Sequence, residues 1–301
     1  MFLIGTRGSK LALMQVDIVV GLLNKKFPEL IFEKKIIKTT GDKILDAPLA
    51  KIGGKGLFVK EIDEAVSKGE VDFAVHSMKD VPVELPSDLK LACVPEREEV
   101  GDALISRDGL SINELPRSAV IGTSSIRRKA ELLNYRSDFI MKELRGNVDT
   151  RMRKLRAGEY DAIVMAKAGL KRLGFEINIT QELPLDTFLP SVGQGAIAIV
   201  ARKDFEHEFL AAINDAQSMQ RCIAERALLH RLGGGCQVPV GVLTEVGKKL
   251  KINAAVLSPD GKKRIQVEME GKAAEAENLG NTAAEKLLEN GADVILEEVK
   301  G

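Results

Sequence analysis

Three segments share one design, each read after a strand. Gly122-Thr123-Ser124-Ser125-Ile126-Arg127-Arg128 sets small residues with free backbone N–H groups at a strand-to-helix turn. Those donors and the positive end of the helix dipole favour an anion there. Arg127 and Arg128 fall in the first helical turn, where the dipole disfavours cations, so something negative must offset them. Leu144-Arg145-Gly146-Asn147-Val148-Asp149-Thr150-Arg151 repeats the design, and Thr6-Arg7-Gly8-Ser9 does so near the start of the chain. Arginine forks suit bidentate binding of carboxylate or phosphate. One such loop is usually a capped helix and nothing more; three of them point to a polyanion cleft.

Asp80 follows Lys79 where a strand is read to end, the edge at which parallel sheets place ligand-binding groups. Taken alone it is a turn cap before Pro82. Beside arginine loops it stays ionised, because nearby cations lower a carboxyl pKa. It could then stabilise a cation formed in a reaction, or pass a proton. His76 is the other titratable candidate, and in mid-strand it reads as structural. The three histidines, 76, 207 and 230, show no metal-ligand spacing, so no metal site is expected. Cys236 sits in Gly233-Gly234-Gly235-Cys236-Gln237, where three glycines leave space around one thiol. That suits a nucleophile or an attachment point, and equally a free cysteine in a turn. Cys93, within Leu91-Ala92-Cys93-Val94, reads as packed.

The elements that must position these groups alternate. Met1–Gly5 reads as a strand, and Ser9 as the cap of a helix through Leu11, Met14, Ile18 and Leu22. Lys35–Lys38 is read as a second strand, Phe58–Val66 as a helical face, and Val71–Val75 as a third strand. A similar cycle runs from Ala119–Gly122 to a strand at Tyr160–Met165. This βαβ pattern predicts α/β lobes with mixed, mostly parallel sheets. Lys249–Leu257, a Ser258-Pro259-Asp260-Gly261 turn and Arg264–Met269 form a hairpin, followed by a helix over 272–290, so a small C-terminal α+β domain is expected.

The 301 residues hold 44 Lys+Arg and 44 Asp+Glu, with 45% hydrophobic residues, which excludes a disordered chain and a bulk polyelectrolyte binder. Neutrality is a sum of opposites: residues 1–60 carry +6, 61–119 −8, 120–172 +7, 173–202 −2 and 203–301 −3. The two basic blocks hold the arginine loops. The chain start lacks a charged segment followed by an apolar stretch and cleavage site, and no apolar run reaches membrane-spanning length. Three cysteines without CxxC spacing fit reduced thiols, so a cytoplasmic location is expected. A solute-binding protein would need export and has no use for the Gly233–Gln237 loop. A nucleic-acid binder would need more aromatic residues than the two tyrosines and one phenylalanine of 120–172.

Taken together, GTRGSKLAL at 5–13, GGKGLFVKEI at 53–62, VHSMKDVP at 75–82, GTSSIRRK at 122–129, LRGNVDTR at 144–151, YDAIVMAKAGLKRLG at 160–174, GQGAIAI at 193–199 and GGCQVPVG at 234–241 resemble the porphobilinogen deaminase (hydroxymethylbilane synthase) family in order and spacing, over essentially the whole chain. The resemblance implies two lobes like those of periplasmic binding proteins plus a third domain: 1–96 with 190–212, 100–189, and 216–301. It implies a transferase of tetrapyrrole (haem) biosynthesis, monomeric, without nucleic-acid or membrane partners. Four porphobilinogen molecules are condensed with loss of ammonia onto a covalent dipyrromethane cofactor, one per chain, in thioether linkage to Cys236, and hydroxymethylbilane is released by hydrolysis. Each pyrrole bears an acetate and a propionate, so the growing chain is polyanionic.

By the same resemblance Asp80 is the catalytic aspartate, protonating or orienting the leaving amine and stabilising the cationic azafulvene. Arg7, Arg127, Arg128, Arg145 and Arg151 match carboxylate-binding arginines, with Ser9, Ser77, Lys79, Ser124 and Ser125 as lesser contacts. Gln15 and Lys51 fall at matching positions, Arg172 matches an arginine linked to elongation, and Phe58 would stack on a pyrrole or join the core. One departure stands out: where the family pattern carries a glutamate after GQGAIAI, this chain has Val200. Glu96-Arg97-Glu98-Glu99 reads as the link between lobes, a candidate hinge.

Overall fold

A computed structural model describes residues 1–43, 56–233 and 238–300. Contacts divide the chain into two units, Met1–Glu98 with Gly195–Cys222, and Glu99–Gln194 with Ile223–Gly301. The first crossing between units falls at Glu98/Glu99, inside the acidic link.

In the first unit, β1 (Phe2–Thr6) leads through α1 (Lys10–Lys26) to β2 (Phe32–Ile36), then α2 (Thr40–Lys43) and α3 (Lys60–Ser67) precede β3 (Phe73–Ser77). The sheet order is β2-β1-β3-β10-β4, with β4 (Leu89–Cys93) at one edge and β10 (Ile197–Arg202) inserted from later in the chain. β2, β1 and β3 pair in parallel, and β10 runs against both β3 and β4. The second strand lies earlier than the predicted Lys35–Lys38. Phe32 pairs with Phe2 across the ladder and stacks on it with centroids 5.7 Å apart, so this aromatic pair sets the register. The third strand begins later than predicted, because Val71 belongs to the turn after Gly69 rather than to the ladder.

Strand residues of this sheet bury both faces, which is why they read as continuous apolar runs rather than alternating ones. Phe73, Val75, Ile197 and Ile199 pack with Val16 and Val19 of α1 and with Phe209 of α7 (Glu208–Ile213). Ala74, Ala198 and Val200 face the other way, against Ile62 and Val66 of α3. Val200 is fully buried there, and a carboxylate at that position would be desolvated among these side chains.

The second unit repeats the plan with the order β7-β6-β8-β5-β9. β5 (Asp102–Ser106), β6 (Val120–Gly122), α4 (Ile126–Tyr135), β7 (Ile140–Lys142), α5 (Val148–Arg156), β8 (Ala162–Ala166), α6 (Lys167–Arg172) and β9 (Gln181–Glu182) follow in sequence. β6 pairs in parallel with β7 and β8, and β5 runs antiparallel to β8 and β9. α8 (Ala216–Arg231) contains the boundary between the units. Beyond it, β11 (Val240–Val246), β12 (Leu250–Leu257) and β13 (Arg264–Gly271) form an antiparallel sheet covered by α9 (Ala276–Leu287) and α10 (Asp293–Lys300). The hairpin and the helix follow the sequence reading; β11 was not legible in it. Ala255 and Leu257 of this sheet pack on Ala130 and Leu189.

Candidate functional site

In the first unit β3 delivers its last residue, Ser77, into a single 3-10 turn over Met78–Asp80. Met78 is buried and anchors the turn, while Val81 donates its backbone N–H to Met78 O at 3.1 Å. Lys79 is exposed and Asp80 half-buried. Asp80 makes no hydrogen bond or ion pair with any described residue. Its carboxylate is therefore uncommitted. Ser77 is fixed by buried Gln15 of α1, whose Nε2 donates to Ser77 Oγ at 2.9 Å. Ser9 accepts from Ala12 N at 3.3 Å and so serves as the cap of α1.

Arg7, immediately after β1, has a partner the sequence did not single out. Its Nη2 donates to Asp42 Oδ1 at 2.5 Å and its Nε to the same oxygen at 3.2 Å. Burial opposes ionisation of Asp42, but Arg7 and Thr39 together hold its carboxyl below the usual range. The Phe58 ring lies under the Arg7 guanidinium, 4.3 Å from centroid to Cζ, so Phe58 here packs on an arginine. His76 is buried and its Nε2 sits 3.1 Å from Asp63 Oδ1, in keeping with a structural role. Cys93 is buried, which pushes its thiol up to about 12.

In the second unit the predicted strand-to-helix turn is present. Ser125 caps α4, accepting from Arg128 N at 3.4 Å, and Ser124 Oγ donates to Leu144 O at 2.6 Å, tying the first arginine loop to the second. Asn147 caps α5 through Thr150 N. Gly146 has φ +108°, and a Cβ there would meet the Thr150 side chain at 2.7 Å, so this turn requires glycine.

Arg127 and Arg128 are almost wholly enclosed, at 4% and 8% exposure. The negative partner that their place at a helix start demands is, in the first instance, the protein's own. Arg127 Nη2 donates to Asp102 Oδ2 at 2.8 Å, and its Nη1 donates to Glu131 Oε2 and Leu189 O, both at 2.7 Å. Arg128 Nη2 donates to Asp102 Oδ1 at 2.7 Å and its Nη1 to Val164 O at 3.2 Å. Burial opposes the charge on Asp102, yet the two guanidiniums outweigh it and hold the carboxyl well below the usual range. Glu131 is different. Burial, reinforced by Asp102, pushes it up to about 7 against the pull of Arg127 and Arg264.

Arg145 donates through Nε to Glu143 Oε1 at 2.6 Å. Arg151, half-buried on α5, donates Nε to Gly146 O at 2.8 Å and has no carboxylate partner among the described residues. Burial, with nearby Arg128, lowers its guanidinium to about 10. Arg172 ends α6, half-buried. Lys51 and Cys236 lie outside the described residues. Asp42, Asp102 and Glu131 were missed by sequence reasoning because each stands alone in the sequence, without a motif of its own. Gln194 lay in a quoted motif without a role.

The description "Porphobilinogen deaminase, dipyromethane cofactor binding domain" fits residues 2–209, and "Porphobilinogen deaminase, C-terminal domain" fits residues 219–289. The chain belongs to the porphobilinogen deaminase family. A porphobilinogen deaminase of Geotalea uraniireducens is 51% identical over 300 residues, covering 98% of this chain and 94% of the relative. One from Brevibacillus brevis is 48% identical over 300 residues, covering 98% and 96%. Likeness to solved structures is remote: the Lactococcus lactis GlnP substrate binding domain 2 in open conformation matches at TM-score 0.41 and 11% identity, covering 77% of this chain and 90% of that one. At that score the architecture rests on the strand orders given above.

The residues present fit the group that this porphobilinogen deaminase domain is named for. Among the described residues, Arg127 Nε and Arg128 Nε are buried without a hydrogen-bond partner, and half-buried Arg151 lacks a carboxylate. Unsatisfied, desolvated donors of this kind match a ligand bearing carboxylates.

Proposed function

We propose that the chain is a hydroxymethylbilane synthase, a transferase that condenses four porphobilinogen molecules, releasing ammonia at each addition, into a linear tetrapyrrole. The observation that supports it most is the family match over residues 2–209 and 219–289. When bound, dipyrromethane supplies the free pyrrole α-carbon to which the first porphobilinogen is joined. We assign its attachment to Cys236, a thiol among glycines.

Asp80 is the catalytic residue of this reading. Uncommitted and half-buried at the end of β3, its carboxylate binds the aminomethyl group of porphobilinogen as an ammonium. As the C–N bond breaks and ammonia leaves, positive charge spreads over the substrate's methylene and ring nitrogen, and the carboxylate stabilises it. After the new C–C bond forms, Asp80 receives the proton lost from the attacking α-carbon. Lys79, Ser77 and Gln15 orient substrate polar groups at the same strand end. Arg7 exchanges carboxylates between Asp42 and substrate, and Phe58 stacks on a pyrrole where it now packs on Arg7. Arg127, Arg128, Arg145 and Arg151 hold acetate and propionate groups, with Ser9, Ser124, Ser125 and Lys51 as lesser contacts and Arg172 acting during elongation.

We assign three functional domains, 1–96 with 190–212, 100–189, and 216–301, and a cytoplasmic monomer acting on a small-molecule substrate alone. No helix of the described residues is long and apolar enough to cross a membrane. The test is stoichiometry with mass. Four porphobilinogen molecules consumed should yield four ammonia and one tetrapyrrole, and the intact mass should exceed that of the chain by two linked pyrrole units. Cys236→Ser should lose both the added mass and the turnover. An unmodified chain with full activity would defeat the assignment.

A further inference from the structure

Gln194, the one polar side chain of the GQGAIAI segment, is 1% exposed. Its Nε2 donates to Val100 O at 2.6 Å and to Asp102 Oδ1 at 2.8 Å, while its Oε1 accepts from Arg128 Nη2 at 3.3 Å. Asp102 is itself 2% exposed, the first residue of β5. One carboxylate thus receives a donor from Arg127, a donor from Arg128 and a donor from Gln194. Its two oxygens are shared out, Oδ2 to Arg127 and Oδ1 to Arg128 and Gln194.

The arrangement solves a specific electrostatic problem. Two adjacent guanidiniums are buried at the N-terminal end of a helix, where each repels the other and both oppose the dipole. Glu131 is a weak counter-charge, since burial favours its neutral form. Gly241 closes on it so tightly that a Cβ would meet Glu131 Oε1 at 2.9 Å, leaving little room for water. Asp102 therefore carries most of the compensation. It also fixes orientation, because an arginine fork held at Nη2 by a carboxylate and at Nη1 by Val164 O cannot rotate. What remains of Arg128 after these bonds is one Nη1–H and its Nε–H, the latter buried and without a partner among the described residues.

We propose that Asp102, seated by Gln194, is a positioning residue of the enzyme: it holds Arg127 and Arg128 in place, so that their remaining N–H groups donate to the carboxylates of the bound pyrrole chain. The inference rests on the reading of these arginines as carboxylate ligands. Asp102 does not itself touch the ligand; as an anion it would repel it.

The test uses the full chain, purified with its cofactor, and compares Asp102→Asn, Asp102→Glu, Gln194→Ala and Arg128→Leu. Three quantities are read: the fraction with the dipyrromethane mass, the KM and kcat of the loaded fraction, and the thermal midpoint. Asp102→Asn should lower the loaded fraction and raise KM for porphobilinogen by roughly tenfold to a hundredfold, the loss expected for a charge-assisted bond. Its kcat should change much less, and Asp102→Glu should recover part of the loading by restoring the charge. Gln194→Ala should shift KM in the same direction by a smaller factor. A cooperatively melting Asp102→Asn with full loading and unchanged KM overturns the proposal. If Asp102→Asn does not fold, Gln194→Ala decides, and wild-type loading and KM there overturn it. Full loading and unchanged KM in Arg128→Leu would instead overturn the carboxylate reading on which the proposal stands.

Discussion

The end of β3 and the start of α4 are both polar sites at the edge of a sheet, and they treat charge in opposite ways. Asp80 is a half-buried carboxylate with no partner among the described residues. Arg127 and Arg128 are enclosed cations, bound on several sides by Asp102, Glu131, Gln194 and main-chain carbonyls. A group that must exchange protons and meet a changing substrate gains from being uncommitted, because nothing must be broken before it acts. A group that must hold a polyanion gains from rigid preorganisation, because ordering costs are met on folding and not on binding. On the proposed function, chemistry belongs to the first place and holding to the second.

The sharpest probe of the holding side is Arg151, a half-buried cation without a carboxylate partner among the described residues. Arg151→Leu should raise KM for porphobilinogen by roughly tenfold to a hundredfold while the protein melts at or near the wild-type temperature, since the half-buried charge has no carboxylate partner among the described residues for the fold to lose. A lower melting temperature with unchanged KM would make Arg151 a structural residue and weaken the contrast.

Glu131 tests the charge balance. Its folded value of about 7 lies above its ordinary 4.5, so the folded chain holds a proton that the unfolded chain has already released in that interval. Stability conferred by this group is therefore present below pH 4.5, falls as pH rises towards 7, and changes no further above it. Asp102 works in the opposite sense: its lowered value stabilises the fold above the ordinary aspartate range and that stabilisation is lost on acidification. Glu131→Gln should flatten the fall between those limits when thermal midpoints are compared at mildly acid and mildly alkaline pH. A slope unchanged by the substitution would show that Glu131 is ionised throughout, with Asp102 sharing its task.

The smallest effect belongs to the cap. Ser125→Ala removes the bond to Arg128 N and should cost about 1 kcal/mol of stability, seen in denaturant unfolding, with little change in kcat. A large loss of loading would instead make Ser125 a principal ligand contact, and not the lesser contact proposed for a residue that is above all a cap.

Much of this was legible before any coordinates. The cap Ser9, the helix starts after the turns at 122–125 and 146–147, and the placement of Asp80 at a strand end follow from local rules that short sequence windows carry. Arg127 and Arg128 were marked because they broke such a rule, and the conflict pointed correctly to a negative partner. What the window could not carry was the partner's identity. Asp102 lies 25 residues from Arg127 and Gln194 lies 66 from Arg128, joined only by the sheet. Asp42 under Arg7 is hidden for the same reason, and the antiparallel entry of β10 beside β3 is a long-range pairing with no local signature.

The contrast between an uncommitted carboxylate that reacts and locked arginines that hold is tested most directly by ammonia release from porphobilinogen in Asp80→Asn protein whose intact mass shows the dipyrromethane addition. The account predicts a fully loaded chain whose rate falls by a factor on the order of a thousand, with KM little changed. Ammonia released at the wild-type rate by that loaded variant would contradict it.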